Sequence, residues 1–181
     1  MYKIIALIGK AGSGKDTLMQ EILKGSSDLN EIISCTTRPR REGEVDGVNY
    51  FYMTPEQFGD KVLHDEMLEA TVFNDWFYGT SYDALRSDVV NIGVFNPAGI
   101  DSIIARPDVE TTVYYIAAAD KTRLLRQLNR EDNPDVTEII RRYSADEADF
   151  SSLDFNYTEL NNETKEDLHA NVKWILSQLE R

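Results

Sequence analysis

Seven residues near the N-terminus constrain this fold more than any others. Gly9-Lys10-Ala11-Gly12-Ser13-Gly14-Lys15 follows a short apolar run, Tyr2 to Ile8, and precedes Leu18, Ile22 and Leu23 at helical spacing. The apolar run is the kind buried on both faces of a parallel sheet, and the later spacing is that of an amphipathic helix. A strand, a glycine loop and a helix in that order aim backbone N–H groups and the positive helix end at one point, which makes a seat for phosphates. The lysine closing the G-x-x-x-x-G-K pattern reaches the β- and γ-phosphates of a nucleotide. Nucleotide contacts are therefore expected from Gly9, Lys10, Ala11, Gly12, Ser13, Gly14 and Lys15, continuing into Asp16 and Thr17. A hydroxyl directly after the lysine normally ligates Mg²⁺. Here Asp16 stands in that place, so either Thr17 substitutes, Asp16 reaches the ion, or the metal leans on the phosphates.

The remaining pattern alternates strands with helices. Strands are expected over 31–37, 48–53, 89–95, 112–117 and 155–160, and helices over 55–63, 97–104, 121–129 and 136–150. Thr54-Pro55-Glu56-Gln57 is a capping box with proline at the first helical position, and Asn96-Pro97 opens a helix as cap and first residue. Glu131-Asp132-Asn133-Pro134 reads as a mobile connector. A last helix carries Leu168, Val172, Ile175 and Leu179 on one face. This order predicts an α/β fold with a parallel sheet covered by helices on both faces. We read residues 1–181 as a single domain: a core of 1–33 and 81–181, a small inserted lobe at 34–80, and a helical lid at about 126–142.

Composition narrows the class. A chain of 181 residues with 41% hydrophobic content can bury a sizeable core. It has no apolar run long enough for a membrane span and no signal-peptide order after Met1, so a soluble, cytoplasmic protein with no membrane partner is expected. The single cysteine, Cys35, has neither a disulfide partner nor a metal cluster. A formal net charge of −13 argues against a nucleic-acid polymer as partner, because such binding rests on many cationic contacts. It leaves room for a mononucleotide in a local basic pocket.

Such a pocket is visible at 36–50, Thr-Thr-Arg-Pro-Arg-Arg-Glu-Gly-Glu-Val-Asp-Gly-Val-Asn-Tyr. Three arginines in a turn-rich stretch of so acidic a chain suggest a dianion with a fixed seat. Two phosphate sites of different design in one small domain suggest transfer between two phosphorylated molecules, the reaction of a nucleoside monophosphate kinase.

The order of parts resembles the guanylate kinase family along essentially the whole chain. That family carries a phosphate loop, then Ser-x-Thr-Thr-Arg-x-x-Arg-x-Gly-Glu with a following Asp-Gly and Tyr, then a Glu, and then Tyr-Gly-Ser/Thr. Here these stand as Ser34, Thr36, Thr37, Arg38, Arg41, Gly43, Glu44, Asp46, Gly47 and Tyr50, then Glu69, then Tyr78, Gly79 and Thr80. The resemblance implies a P-loop kinase fold with a monophosphate-binding lobe and an arginine-bearing lid. It implies transfer of the γ-phosphoryl group of ATP, with Mg²⁺, to GMP or dGMP. Arg38, Arg41, Tyr50 and Tyr78 would hold the phosphate of the accepting nucleotide, as guanidinium forks and neutral hydroxyls suit it. Ser34, Glu69 and Thr80 would read the base, since guanine alone among the common bases offers two adjacent donors to one carboxylate.

Eight of eleven arginines fall within 38–41 and 123–142. Arg130 and Arg142 match the lid positions that, with Lys15 and Arg38, would stabilise the charge of the transferring group, and Arg126 and Arg141 are their neighbours. No general base is required, because a phosphate with a second pKa of about 6 is already ionised at neutral pH. His64 and His169 need no role. One further departure stands out. The family usually has Asp-x-Asp-x-Gln-Gly after the strand at 89–95, and alignment on Gly99 puts Val94, Asn96 and Ala98 there. Asn96 either bonds the guanine or caps its helix. The missing acids also admit a kinase with a drifted base preference. A noncatalytic relative that binds peptides fits less well, because Gly9 to Lys15 is whole.

Overall fold

A computed structural model describes residues 1–41, 43–73, 75–130 and 133–179. In chain order the elements are β1 (Tyr2–Ile8), α1 (Lys15–Gly25), β2 (Leu29–Glu31), β3 (Cys35–Thr36), β4 (Phe51–Tyr52), α2 (Pro55–Leu63), β5 (Met67–Phe73) and β6 (Trp76–Ser81). After a 3-10 turn at Tyr82–Ala84 come β7 (Val90–Val94), α3 (Pro97–Ile104), β8 (Val109–Ala117), α4 (Asp120–Leu128), α5 (Val136–Asp149), β9 (Thr158–Asn161) and α6 (Lys165–Leu179). One sheet runs in the order β2-β7-β1-β8-β9 and a second in the order β4-β3-β6-β5. The first is the parallel sheet expected from the alternating pattern: β2 pairs with β7, and β8 with β9, in parallel.

Two compact units emerge. One holds Met1–Ile5, Asp28–Gly93 and Ala98–Thr111, and the other Ala6–Ser27, Val94–Pro97 and the chain from Thr112 onward. In the first, the small sheet rests on Phe58, Cys35 and Met67, packed with Met53. Helix α2 stays in place through its capping box, in which Thr54 and Gln57 satisfy each other's backbone N–H groups. In the second, α1 lies against α6, and a side chain on Gly25 would strike Leu176. Leu7, Ile8, Leu18, Ile22, Ile116 and Ile175 are sealed from solvent. Each such side chain contributes about 1.5–3 kcal/mol on burial.

Three sequence expectations need correction. The run at 31–37 is not one strand, for β2 ends at Glu31 and pairs in the large sheet while β3 starts at Cys35 and pairs in the small one. The run at 48–53 shortens to Phe51–Tyr52, because Val48 and Asn49 turn back to the Val45 carbonyl and Gly47 takes a φ of 72°. At 155–160 the strand begins only at Thr158, since Phe155 and Tyr157 pack ring edge to ring instead. The connector at 131–134 has Glu131 and Asp132 outside the described residues. The β5–β6 hairpin is absent from the sequence reading. Its period-two signal is hidden by the irregularity between Met67 and Glu69, where three consecutive residues, Met67, Leu68 and Glu69, are all buried.

Candidate active site

The glycine loop joins β1 to α1 as expected. Gly12 has a φ of 81°, and a Cβ there would lie 2.5 Å from the Arg123 carbonyl oxygen, so α4 leaves no space for a side chain. Gly14 is the left-handed N-cap of α1, and among the described residues no side chain caps the first-turn N–H groups there. The loop's carbonyls are occupied from outside. Arg126 Nη1 donates to Gly12 O at 3.2 Å and Ser13 O at 3.1 Å, and its Nη2 to Asn162 O at 2.8 Å and Glu163 O at 3.0 Å. Asn162 Nδ2 donates to Ser13 O at 2.8 Å, and Gln127 Nε2 to Ala11 O at 3.4 Å. Ser13 is fully buried, and its hydroxyl has no hydrogen-bond partner among the described residues.

Two acids of α5 reach the first half of the loop. The Ala11 N–H donates to Asp146 Oδ2 at 2.6 Å, and Lys10 Nζ to Glu147 Oε1 at 2.6 Å. Behind them Arg123, 1% exposed, faces Asp120, Asp146 and Glu147 at 2.9, 3.5 and 3.4 Å and stacks on Tyr143. Burial pushes the Asp146 carboxyl up, against the Ala11 N–H, Lys15 and Arg123. Lys15 Nζ lies 3.7 Å from the Asp16 carboxylate, which is itself 76% exposed.

The other unit gathers the arginine run and the tyrosines. Arg38 is buried and forms a forked pair with Glu44, at 3.1 and 2.8 Å. Glu44 also accepts the Arg41 N–H and the Tyr52 hydroxyl, each at 2.8 Å. Hydrogen bonding from Arg38 is the main reason the Glu44 carboxyl falls to about 2. The guanidinium lies 5.6 Å from the Tyr50 ring centre and 5.8 Å from that of Tyr52, and Tyr50 meets Tyr78 edge-on at 6.0 Å. Arg38, Tyr50 and Tyr78 therefore stand together, whereas Arg41 and Arg40 are exposed at the edge of the turn.

Glu69 and Thr80 lie opposite each other across β5 and β6. Close strand approach explains Gly79, since a Cβ there would sit 2.5 Å from the Glu69 carbonyl oxygen. Glu69 is 7% exposed, and burial pushes its carboxyl up to about 7, opposed in part by the Thr80 hydroxyl and N–H. Among the described residues no cation is paired with this buried acid, the kind of group whose burial alone shifts it. Ser34 is half-buried, and its carbonyl receives the Phe51 N–H at 2.9 Å.

With the geometry in place, comparison with known proteins decides the family. Residues 1–179 match the family described as guanylate kinase. The chain belongs to the guanylate kinase family. It is 33% identical to the guanylate kinase of Sulfurimonas denitrificans over 143 residues, covering 77% of this chain and 69% of that protein. It is 25% identical to that of Mycoplasma genitalium over 97% of this chain and 76% of the relative. A shorter match to the Clostridioides difficile guanylate kinase, 40% identical over 82 residues, covers 40% of that protein. The crystal structure of guanylate kinase from Anaplasma phagocytophilum superposes with a TM-score of 0.69 at 16% identity over 99% of this chain and 87% of that one, which shows a shared fold.

Not every guanylate kinase position can be grouped. Asn96 and Val94 belong to the unit of the phosphate loop, with Asn96 exposed just before α3. Arg130 is exposed beyond α4, and Arg142 donates to Glu138 at 2.7 Å, sharing that carboxylate with Arg141. These pairs hold Glu138 down to about 2, chiefly through Arg141. Among the described residues no group of three or more acids, histidines or cysteines could cage a metal. One carboxylate or hydroxyl beside phosphate oxygens nevertheless suits Mg²⁺, which keeps several waters and takes few protein ligands. Asp16 and Thr17 are both exposed in the first turn of α1.

Sequence reasoning missed the grip of Arg126, Gln127 and Asn162 on the loop carbonyls, and that of Asp146 and Glu147 on Ala11 and Lys10. Glu44 carried a signal: an acid three residues after Arg41 in an arginine-rich turn. Among the described residues no helix is long and apolar enough to cross a membrane.

Proposed function

We propose that this chain transfers the γ-phosphoryl group of ATP to GMP or dGMP, giving ADP and GDP or dGDP. The observation that carries this reading is Glu69, a buried carboxylate with no cation paired to it among the described residues, in the same unit as the Arg38, Tyr50 and Tyr78 cluster. One carboxylate accepts two parallel hydrogen bonds from N1–H and the exocyclic amine of guanine, whereas adenine would turn a lone pair toward it. Thr80 opposite Glu69, and Ser34 just before β3 of the same sheet, complete a base reader. Arg38 and Arg41 supply cations for the monophosphate and Tyr50 and Tyr78 neutral donors.

Lys15 and the N–H groups of Gly9 to Thr17 take the ATP phosphates. Arg130 and Arg142 serve the transferring group, where negative charge spreads over three equatorial oxygens. Arg142 exchanges its Glu138 contact for phosphate as it does so. Mg²⁺, held by Asp16 or Thr17 with the phosphates, supplies charge neutralisation when bound. The acceptor phosphate is already ionised and attacks without a protein base. A coupled ADP-release assay over ribo- and deoxyribonucleoside monophosphates tests the reading. GMP and dGMP should exceed AMP, CMP and dTMP by orders of magnitude. Comparable rates across the panel would instead support a drifted base preference, the reading favoured by Val94 and Asn96 where the family carries acids.

A further inference from the structure

The carbonyls of Ala11, Gly12 and Ser13 are each taken by a side chain from α4 or from the residue after β9. A trans peptide points its carbonyl and the following N–H in opposite directions. Tying the Ser13 carbonyl to Arg126 and Asn162 therefore turns the Gly14 N–H the other way, at the start of α1, where the proposed kinase reading seats a phosphate. Tying the Gly12 carbonyl fixes the neighbouring peptide in the same manner. Two nitrogens of one guanidinium serve four carbonyls, at 12, 13, 162 and 163, all between 2.8 and 3.2 Å. This arrangement joins the loop to the chain leaving β9 through a single planar group. An ammonium, with three donors radiating from one point, cannot span it.

We propose that Arg126 is a positioning residue for the donor nucleotide: it shapes the phosphate loop through its carbonyls and does not touch the transferring phosphoryl group. The proposal deepens the kinase reading and assigns Arg126 a task different from that of Arg130 and Arg142. A transition-state arginine lowers kcat when removed, whereas a residue that shapes the ATP seat raises the KM for ATP.

The test compares Arg126→Lys and Arg126→Gly in the full chain by titration calorimetry with ATP and, separately, with GMP, and by steady-state kinetics at saturating GMP. Losing these hydrogen bonds should weaken ATP roughly 10- to 100-fold in both variants, with kcat at saturating ATP and GMP affinity each within about threefold of the parent. Millimolar guanidinium should restore ATP affinity to Arg126→Gly and leave Arg126→Lys unchanged. A large fall in kcat with an unaltered KM for ATP would overturn the proposal in favour of a transition-state role. Unchanged ATP affinity in Arg126→Lys would also overturn it, even if the glycine variant fails to fold, and so would equal loss of ATP and GMP. A parent that binds ATP without phosphorylating GMP would refute the kinase reading alone, because the ATP titration does not depend on turnover.

Discussion

Exchanging Glu69 for glutamine keeps the shape of the side chain and reverses one of its two hydrogen-bonding ends. Against guanine, one carboxylate oxygen is replaced by an amide donor facing a donor. The change removes one charge-assisted bond and leaves two desolvated N–H groups opposed, a combined cost of about 3–5 kcal/mol. At about 1.4 kcal/mol per decade, kcat/KM for GMP and dGMP should fall by at least two decades. Stability should move the other way. The carboxyl lies near 7 in the folded chain against 4.5 ordinarily, so ionisation is disfavoured by folding, and the penalty grows as pH rises from 4.5 through 7. Above that window it approaches about 3 kcal/mol, and a neutral amide escapes it. At pH 8 the variant should therefore melt several degrees above the parent while working far more slowly. Paired melting curves and coupled assays at pH 8 measure both. Parent-like GMP kinetics in Glu69→Gln would refute the guanine contact, and an unchanged or lower melting temperature would refute the burial argument.

Three other expectations follow from the same geometry. The KM for GMP should rise about tenfold per pH unit below 7, because the pocket must lose its proton to accept guanine's donors; a flat profile from pH 5.5 to 8 would contradict the ionised form. Lys15→Ala should reduce turnover by several orders of magnitude with the fold intact by circular dichroism, since the ammonium answers charge growing between the β- and γ-phosphates. Mg²⁺ titrations of Asp16→Ala and Thr17→Ala should show a raised metal requirement in one of the two, and identical curves in both variants and the parent would remove both as ligands.

Much of this molecule is legible because its causes are local. The capping box at Thr54 and Gln57, the β1–loop–α1 unit and the arginine turn each need only neighbours in sequence, and each stands where its residues predict. What the pattern hides depends on distant backbone. Arg126 bonds carbonyls 114 and 113 positions away, and a carbonyl leaves no trace in residue type. It therefore looks like any other arginine of the lid region. Glu69 is picked out only by the family resemblance, while its burial beside Met67 and Leu68 comes from the irregular β5–β6 pairing, which no local pattern shows. Cys35 and the two histidines hold no surprises, being respectively buried and exposed.

Glu44 and Glu138 have a consequence for how the protein meets salt. In a chain of net charge −13, Arg38 keeps Glu44 as its partner, Arg141 and Arg142 share Glu138, and Lys10 keeps Glu147. These cations thus carry their counterions within the polypeptide. Where a nucleic-acid complex draws its salt sensitivity from small ions expelled into solution, a phosphate bound as proposed above would displace a tethered carboxylate, and few free ions would enter or leave. Nucleotide affinity that rests on these paired cations should accordingly depend only weakly on ionic strength, and an acidic chain is compatible with cationic seats whose charge is met from within.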